Sequence, residues 1–319
     1  MKTVDVIIPV YKPGRGFLTL LEKLQMQTVP VNRIIIMNTE QKYYDELVQG
    51  TSLVPDGHTM IVEHLSKQEF DHGRTRNQGV HLSEADVFLM MTQDAVPADA
   101  FLVERLLSQL AGEKVAVAYA RQLPGRDSGE VERYVRQFNY PEQSRIKNKE
   151  DLPELGIKTF FCSNVCAAYD RKVFDALGGF AGRAIFNEDM LFAAKAVEAG
   201  YGIAYAADAK VYHSHDYTNR QQFHRNFDLG VSQADHPEVF AKYPSESEGI
   251  RLVKSMVAYL ARTGKWSKIP HVIIQSGFKY AGYLCGKHYR RMPKRLVTAL
   301  SSNKEYWKRV RRTSKDVSP

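Results

Sequence analysis

Five apolar residues, Val87-Phe88-Leu89-Met90-Met91, follow one another without a polar interruption and then stop at Thr92-Gln93-Asp94. A strand that is apolar on both faces must be covered on both faces, as in mostly parallel sheets flanked by helices. Pro97 denies the run an easy continuation. A carboxylate just past the carboxyl end of such a strand stands where open α/β sheets bind their ligands. The plainer alternative is a helix N-cap or turn residue ahead of the helical spacing at residues 101–110.

The chain on either side repeats the pattern. Residues 4–10 read as a first buried strand, closed by Pro9-Val10-Tyr11-Lys12-Pro13-Gly14. Phe17, Leu20, Leu21 and Leu24 recur at helical spacing, and Arg33-Ile34-Ile35-Ile36-Met37 is a second strand ending at Asn38. Strand, helix and strand in so short a span make a βαβ unit. A short helix at 43–49, a strand at 59–64, a helix from about residue 72 and, after the central run, a helix at 101–110 and a strand at 115–119 follow. Residues 121–158 are polar, hold Pro124, Pro141 and Pro153, and read as an irregular excursion with a helix at 130–138. A strand at 159–169, a helix at 171–177 and one opened by Asn187-Glu188-Asp189 come next. Two short strands at 203–205 and 210–212 lead into His213-Ser214-His215-Asp216-Tyr217, and a helix at 219–229 follows.

Composition enters at the tail. The net charge is +8, but residues 251–319 hold 17 Lys and Arg against 2 Asp and Glu, and residues 1–250 hold 27 against 34. That split, +15 beside −7, points to a basic appendage that meets an anionic surface. Trp266, Ile269, Val272, Ile273, Ile274, Phe278, Tyr280, Tyr283 and Leu284 give the same segment an apolar and aromatic side, as in an interfacial membrane helix. A solvated helical face is the alternative. Nucleic acid is the rival partner for a basic tail, but no helix-turn-helix, zinc or RNA-recognition motif accompanies it. No apolar run reaches the roughly 18 residues of a membrane span. Three cysteines imply no disulfide framework, and Cys162 and Cys166 have no companion His or Cys cluster for zinc. With a strand pattern starting at Val4 and no signal peptide ahead of it, the expectation is a cytoplasmic protein. The division expected is 1–240 and 241–319.

Several polar clusters fall at strand ends: Pro9 and Tyr11, Asn38, Gln93 and Asp94, and His213 with His215. The carboxyl ends of parallel strands converge on one crevice, so these groups can share a site. Asp94 with a histidine makes a plausible ligand set for Mg²⁺ or Mn²⁺, which would neutralise a diphosphate leaving group. Neither a Walker A sequence nor G-x-G-x-x-G is present, so something other than a glycine loop must hold a nucleotide.

Five features in this order carry a resemblance: Ile8-Pro9-Val10-Tyr11, Asp71-His72-Gly73 with Thr75-Arg76-Asn77, Thr92-Gln93-Asp94-Ala95, Asn187-Glu188-Asp189, and the segment from Val211 to Tyr217. Over about residues 1–235 the chain resembles family 2 glycosyltransferases with the GT-A fold, in particular the bacterial rhamnosyltransferases. The resemblance implies an α/β fold with a mixed, mostly parallel sheet flanked by helices, and a helical basic C-terminal appendage. It places Pro9, Tyr11 and Asn38 at the nucleoside, with Asp71, Arg76, Asn77 and Gln93 completing the nucleotide site, Arg76 by pairing with a phosphate or with Asp94. Asn38 departs from the acid usual in the family. Gln93-Asp94 stands where the family has Asp-x-Asp, with Thr92 in place of the first acid, so Asp94 would hold the metal with His215, or with His213 as the alternative.

The Glu188-Asp189 pair corresponds to the family's Glu-Asp pair, with Asp189 the general base of an inverting transfer. On its own the pair could equally be first-turn acids favouring the helix dipole. The activity implied is transfer of a sugar, L-rhamnose from dTDP-rhamnose, to a glycan or lipid-linked glycan acceptor in cell-surface polysaccharide synthesis, at the inner face of the membrane and without nucleic acid. Two rivals are a nucleotidyltransferase, for which Pro13-Gly14-Arg15-Gly16 is a poor signature loop, and a nucleotide- or glycan-binding subunit whose catalysis has decayed.

Overall fold

The computed structural model describes residues 2–49, 51, 59–215 and 217–315, with side chains to residue 310. Asp216 of the expected motif, and the side chains of Arg311 and Arg312, lie outside the described residues. In chain order the elements are β1 (Val4–Tyr11), α1 (Arg15–Gln25), β2 (Arg33–Thr39), α2 (Gln41–Val48), β3 (Met60–Leu65), α3 (His72–His81), β4 (Val87–Met91), β5 (Val96–Pro97), α4 (Leu102–Leu110), β6 (Val115–Leu123) and α5 (Glu130–Asn139). There follow β7 (Arg145–Lys147), α6 (Leu152–Leu155), β8 (Cys166–Asp170), α7 (Arg171–Ala176), α8 (Glu188–Glu198) and β9 (Gly202–Tyr212). The helices α9 (Asn219–Asp235), α10 (Pro237–Phe240), α11 (Glu246–Arg262), α12 (Ile269–Lys287), α13 (Lys294–Leu300) and α14 (Lys304–Lys315) complete the chain.

The chain divides into two compact units. The first comprises residues 1–128, 139–183 and 188–214; the second 129–138, 184–187 and 215–319. The expected division at residue 240 falls within the second unit, which also takes in residues 129–138 and 184–187. The reason is that a helix within the polar excursion is built into the helical unit: in α5 the Tyr134 ring stacks on Tyr259 at 4.7 Å, and Glu130 pairs with Lys265.

The first unit is built on a nine-stranded sheet of order β3-β2-β1-β4-β8-β6-β9-β5, with β7 also on β9. Strands β1, β2, β3 and β4 are parallel neighbours, β8 is antiparallel to both β4 and β6, and β6 runs parallel to β9. Six strands thus point one way, and their carboxyl ends share one edge of the sheet. All five residues of β4 are buried, as the apolar run requires. Helix α1 buries Phe17, Leu20, Leu21 and Leu24 against one face. Each such side chain contributes on the order of 1.5–3 kcal/mol by leaving water. On another side of the unit Phe88 stacks on Tyr169 at 5.2 Å, and Phe174, Phe180 and Phe192 close around the same ring.

Two strands differ from the sequence pattern. The expected strand at 159–169 is confined to Cys166–Asp170, because residues 156–160 wind into a 3₁₀ turn. The two short strands at 203–205 and 210–212 are one strand, β9, whose pairing with β6 jumps from Ala120–Ala206 to Arg121–Lys210. The extra residues on β9 form a bulge that the eye reads as a break.

In the second unit α12 lies against α9. A Cβ at Gly282 or Gly286 would meet the carbonyl oxygens of Phe223 and Phe227 at 2.2 and 2.1 Å, so only glycine lets the two backbones approach. The outer side of α12 leaves Ile273, Ile274, Phe278, Tyr280 and Leu284 exposed. Among the described residues no helix is long and apolar enough to cross a membrane.

Candidate active site

The carboxyl edge of the sheet collects the polar residues in the first unit. Asp94 follows β4 by three residues and His213 follows β9 by one. His213 Nε2 lies 3.6 Å from Asp94 Oδ1. The other ring nitrogen, Nδ1, is 3.0 Å from Gln122 Oε1 on β6. The Gln122 amide nitrogen meanwhile contacts the Tyr140 hydroxyl and Ser163 Oγ. With its oxygen turned to the imidazole, Gln122 accepts the Nδ1 proton, which leaves the Nε2 lone pair facing the carboxylate. An oriented imidazole lone pair and a carboxylate oxygen suit a divalent cation, and a hydrogen bond on the far ring nitrogen is the usual support for such a ligand. His215, which the sequence favoured, and His213 both belong with Asp94 to one group whose ligand atoms lie within 4.8 Å of one another.

The acid pair opens α8. Asn187 before it takes a left-handed φ of 63°, which asparagine tolerates. Glu188 is buried and pairs with Arg76 at 3.3 Å. Burial pushes its carboxyl up, but the Arg76 guanidinium, His72 and the Asn164 amide outweigh burial and hold it below the usual carboxylate range. Asp189 moves the other way: burial, and then the charge on Glu188, push it up to about 7. Its oxygens accept from the backbone N–H of Asn164 (3.0 Å) and of Met190 (2.8 Å). Two neighbouring carboxyls pushed apart in this way are the kind of pair in which one stays an anion and the other can exchange a proton near neutrality.

Beyond the end of β1 the side chains are aromatic and cationic. The Tyr11 ring stands edge-to-face with Tyr43 at 5.7 Å, Lys12 Nζ sits 4.8 Å from the Tyr43 centroid, and Lys67 Nζ sits 4.9 Å from that of Tyr11. Pro9 is half-buried beside them on β1. Gln93 does not face outward from this group: its amide accepts from Tyr11 N–H (2.8 Å) and donates to Tyr11 C=O (3.0 Å), locking the end of β1.

Four of the residues expected at the nucleotide are engaged with the protein itself. Asn38 is fully buried at the end of β2, its amide nitrogen 2.9 Å from Nδ1 of its register partner His64 on β3. Asp71 is the N-cap of α3, one oxygen accepting from Gly73 and Arg74 N–H, and it is 2% exposed. Asn77 gives both ends of its amide to the Phe180 backbone. Arg76 pairs with Glu188 and donates to the His72 carbonyl. The glycine of the same motif has a steric cause: a Cβ on Gly73 would lie 1.9 Å from the Ala181 carbonyl oxygen. Sequence reasoning missed Gln122, Asn164, Tyr43 and Lys67. The first two carry no motif of their own, whereas the aromatic and basic side chains next to Tyr11 left only a faint signal.

Taken together, the sheet, the carboxylate–imidazole pair and the divided acid pair define a nucleotide-sugar glycosyltransferase of the GT-A type. The chain belongs to glycosyl transferase family 2, whose model matches residues 5–178. It is 36% identical over 313 residues to the O-antigen chain rhamnosyltransferase RfbN of Salmonella typhimurium, covering 98% of each chain. It is 36% identical over 317 residues to the O-antigen chain rhamnosyltransferase WbaN of Salmonella anatum, again covering 98% of each. In fold it is similar to a mannosyltransferase of Pyrobaculum calidifontis solved with GDP-Man and Mn²⁺, with a TM-score of 0.54 and 12% identity, over 99% of this chain and 88% of that one. An enzyme of this family transfers a glycosyl group, so the nucleotidyltransferase reading falls away.

Proposed function

We propose that the chain transfers L-rhamnose from dTDP-rhamnose to a glycan acceptor in the assembly of a cell-surface polysaccharide. The observation that carries this reading is the near full-length likeness to two O-antigen chain rhamnosyltransferases. The site chemistry supports it. Pro9, Tyr11 and Tyr43 would hold the nucleobase, with Lys12 and Lys67 near enough to favour an anionic ligand. Asp94 and His213, with His215 as a third ligand, would hold Mg²⁺ or Mn²⁺; such an ion supplies charge neutralisation to a leaving diphosphate. Asp189 takes the proton of the acceptor hydroxyl as that oxygen bonds to C1 of the sugar. The bond from C1 to the diphosphate breaks on the opposite side, dTDP leaves, and configuration at C1 inverts.

The second unit would bring the enzyme to its acceptor. Residues 251–319 carry a net +15, and the exposed apolar side of α12 lies in the same segment. Together they fit reversible docking on an anionic cytoplasmic leaflet, where a lipid-linked acceptor is held.

The test is release of nucleoside diphosphate from a panel of dTDP-, UDP- and GDP-sugars, with product analysis on polysaccharide intermediates. Turnover confined to dTDP-rhamnose, with transfer to acceptor, is the expected result. Preference for another sugar nucleotide would overturn the donor assignment and leave the family unchanged.

A further inference from the structure

The segment before β8 is absent from every motif the sequence offers, yet it reaches the acid pair. Strand β8 is antiparallel to β4, so its amino end lies at the edge where the neighbouring parallel strands finish. Asn164 precedes it by two residues and is buried. Its backbone N–H donates to Asp189 Oδ2 at 3.0 Å, and its side-chain Nδ2 donates to Glu188 Oε1 at 3.1 Å. One residue thus contacts both carboxylates, with a different group for each. The amide is itself oriented, because its Oδ1 accepts from the Tyr169 hydroxyl at 2.7 Å. Tyr169 is closed to solvent within the cluster of Phe88, Phe174, Phe180 and Phe192, so that hydroxyl has a fixed position.

Only an amide satisfies both neighbours at this size. A carboxylate would turn an acceptor toward Glu188, and an aliphatic side chain would leave both Tyr169 and Glu188 short of a partner. We propose that Asn164 is a positioning residue of the transfer reaction, holding Glu188 and Asp189 as an unlike pair so that Glu188 stays an anion beside Arg76 while Asp189 accepts the proton. This inference rests on the reading of Asp189 as the base. The titratable and charged groups facing the pair are Arg76 and His72 from the α3 side, Cys162 and Tyr169 from the β8 side, and each carboxyl of the other.

Asn164→Asp is nearly isosteric and tests the sign. It removes the donor to Glu188 and adds negative charge beside Asp189, so the Asp189 carboxyl must titrate at higher pH. We expect the acid limb of kcat for dTDP release from dTDP-rhamnose to move up by about one pH unit, as expected for a like charge at this range. The KM for the donor should stay within about twofold, because the buried amide is turned to Glu188 and Tyr169. Carboxyl ¹³C titration of aspartate-labelled protein, with the Asp189 signal assigned by its loss in Asp189→Asn, should show the same upward move without any turnover.

If Asn164→Asp does not fold by circular dichroism, Tyr169→Phe decides. It keeps the aromatic packing, deletes the orienting hydroxyl, and should lower kcat severalfold at unchanged KM. A folded Asn164→Asp with an unmoved limb and unmoved titration, or a Tyr169→Phe enzyme with full kcat in its place, would overturn the proposal. Retained turnover in Asp189→Asn would instead remove the base assignment, while the ¹³C titration would still report whether Asn164 separates the two carboxyls.

Discussion

Arg76 Nη1 stands 3.3 Å from Glu188 Oε1, and each side chain is only 7% exposed. A buried ion pair gains little over apolar residues of equal volume, but removing one partner strands a charge. Arg76→Met should therefore cost about 3–5 kcal/mol of stability. The double variant Arg76→Met with Glu188→Met should recover much of that, read as the midpoint of urea unfolding. A double-variant loss equal to the sum of the losses in Arg76→Met and Glu188→Met would show that the pair is not coupled.

Burial and then the charge on Glu188 push Asp189 up to about 7, so as the proposed base it would be protonated and idle below that pH. Turnover should rise with pH through neutrality and fall away on the acid side. Asp189→Asn keeps the shape and deletes the base, and should reduce kcat by at least about 10²-fold with dTDP affinity nearly unchanged by calorimetry. Lost nucleotide binding in that variant would move Asp189 to the donor site.

Because Gln122 fixes the tautomer of His213, it should govern metal affinity without touching the ion. Gln122→Leu is expected to weaken Mn²⁺ binding by about 10–100-fold, and Asp94→Asn to abolish it, both measured by calorimetry. Chelator should stop turnover, and Mg²⁺ or Mn²⁺ should restore it. Full activity in chelator would refute metal dependence.

Gly73 packs its Cα against the Ala181 carbonyl, where a methyl group would come within 1.9 Å. Gly73→Ala must push α3 away from that turn, and overpacking of this kind costs about 1–3 kcal/mol. Since Asp71 caps the same helix and Arg76 lies on it, kcat should fall along with the melting temperature. A variant as stable as the parent would show that the contact relaxes freely.

Membrane docking is best tested on the whole chain, since a cut at residue 250 would divide α11 and the helical unit. Phe278→Glu and Ile274→Glu place charge on the exposed side of α12 and leave the side packed on α9 alone. Co-sedimentation with vesicles containing phosphatidylglycerol should weaken in both variants and with salt. Vesicles of phosphatidylcholine alone should retain little of the parent. Equal binding to both kinds, or to neither, would leave the basic face to solvent.

The sequence by itself determined the alternation of buried strands and helices, because burial on both faces writes a continuous apolar run, as in β4, and burial on one face writes the spacing of Phe17, Leu20, Leu21 and Leu24. It also marked Asp94, Glu188 and Asp189, which stand at element ends where chain direction and residue type are both visible. It could not show which polar residues of a motif face a ligand. Asn38, Asp71, Arg76 and Asn77 share motifs with the site, yet each puts polar groups into capping, pairing or turns within the protein, contacts that sequence alone does not reveal. Only the tertiary structure decided that β8 runs against its neighbours, so that Asn164 meets two carboxylates 24 and 25 residues further along the chain. Only it decided that Gln122, 91 residues before His213, sets the proton on that ring. Such pairings depend on strand order and direction, which local sequence patterns do not encode.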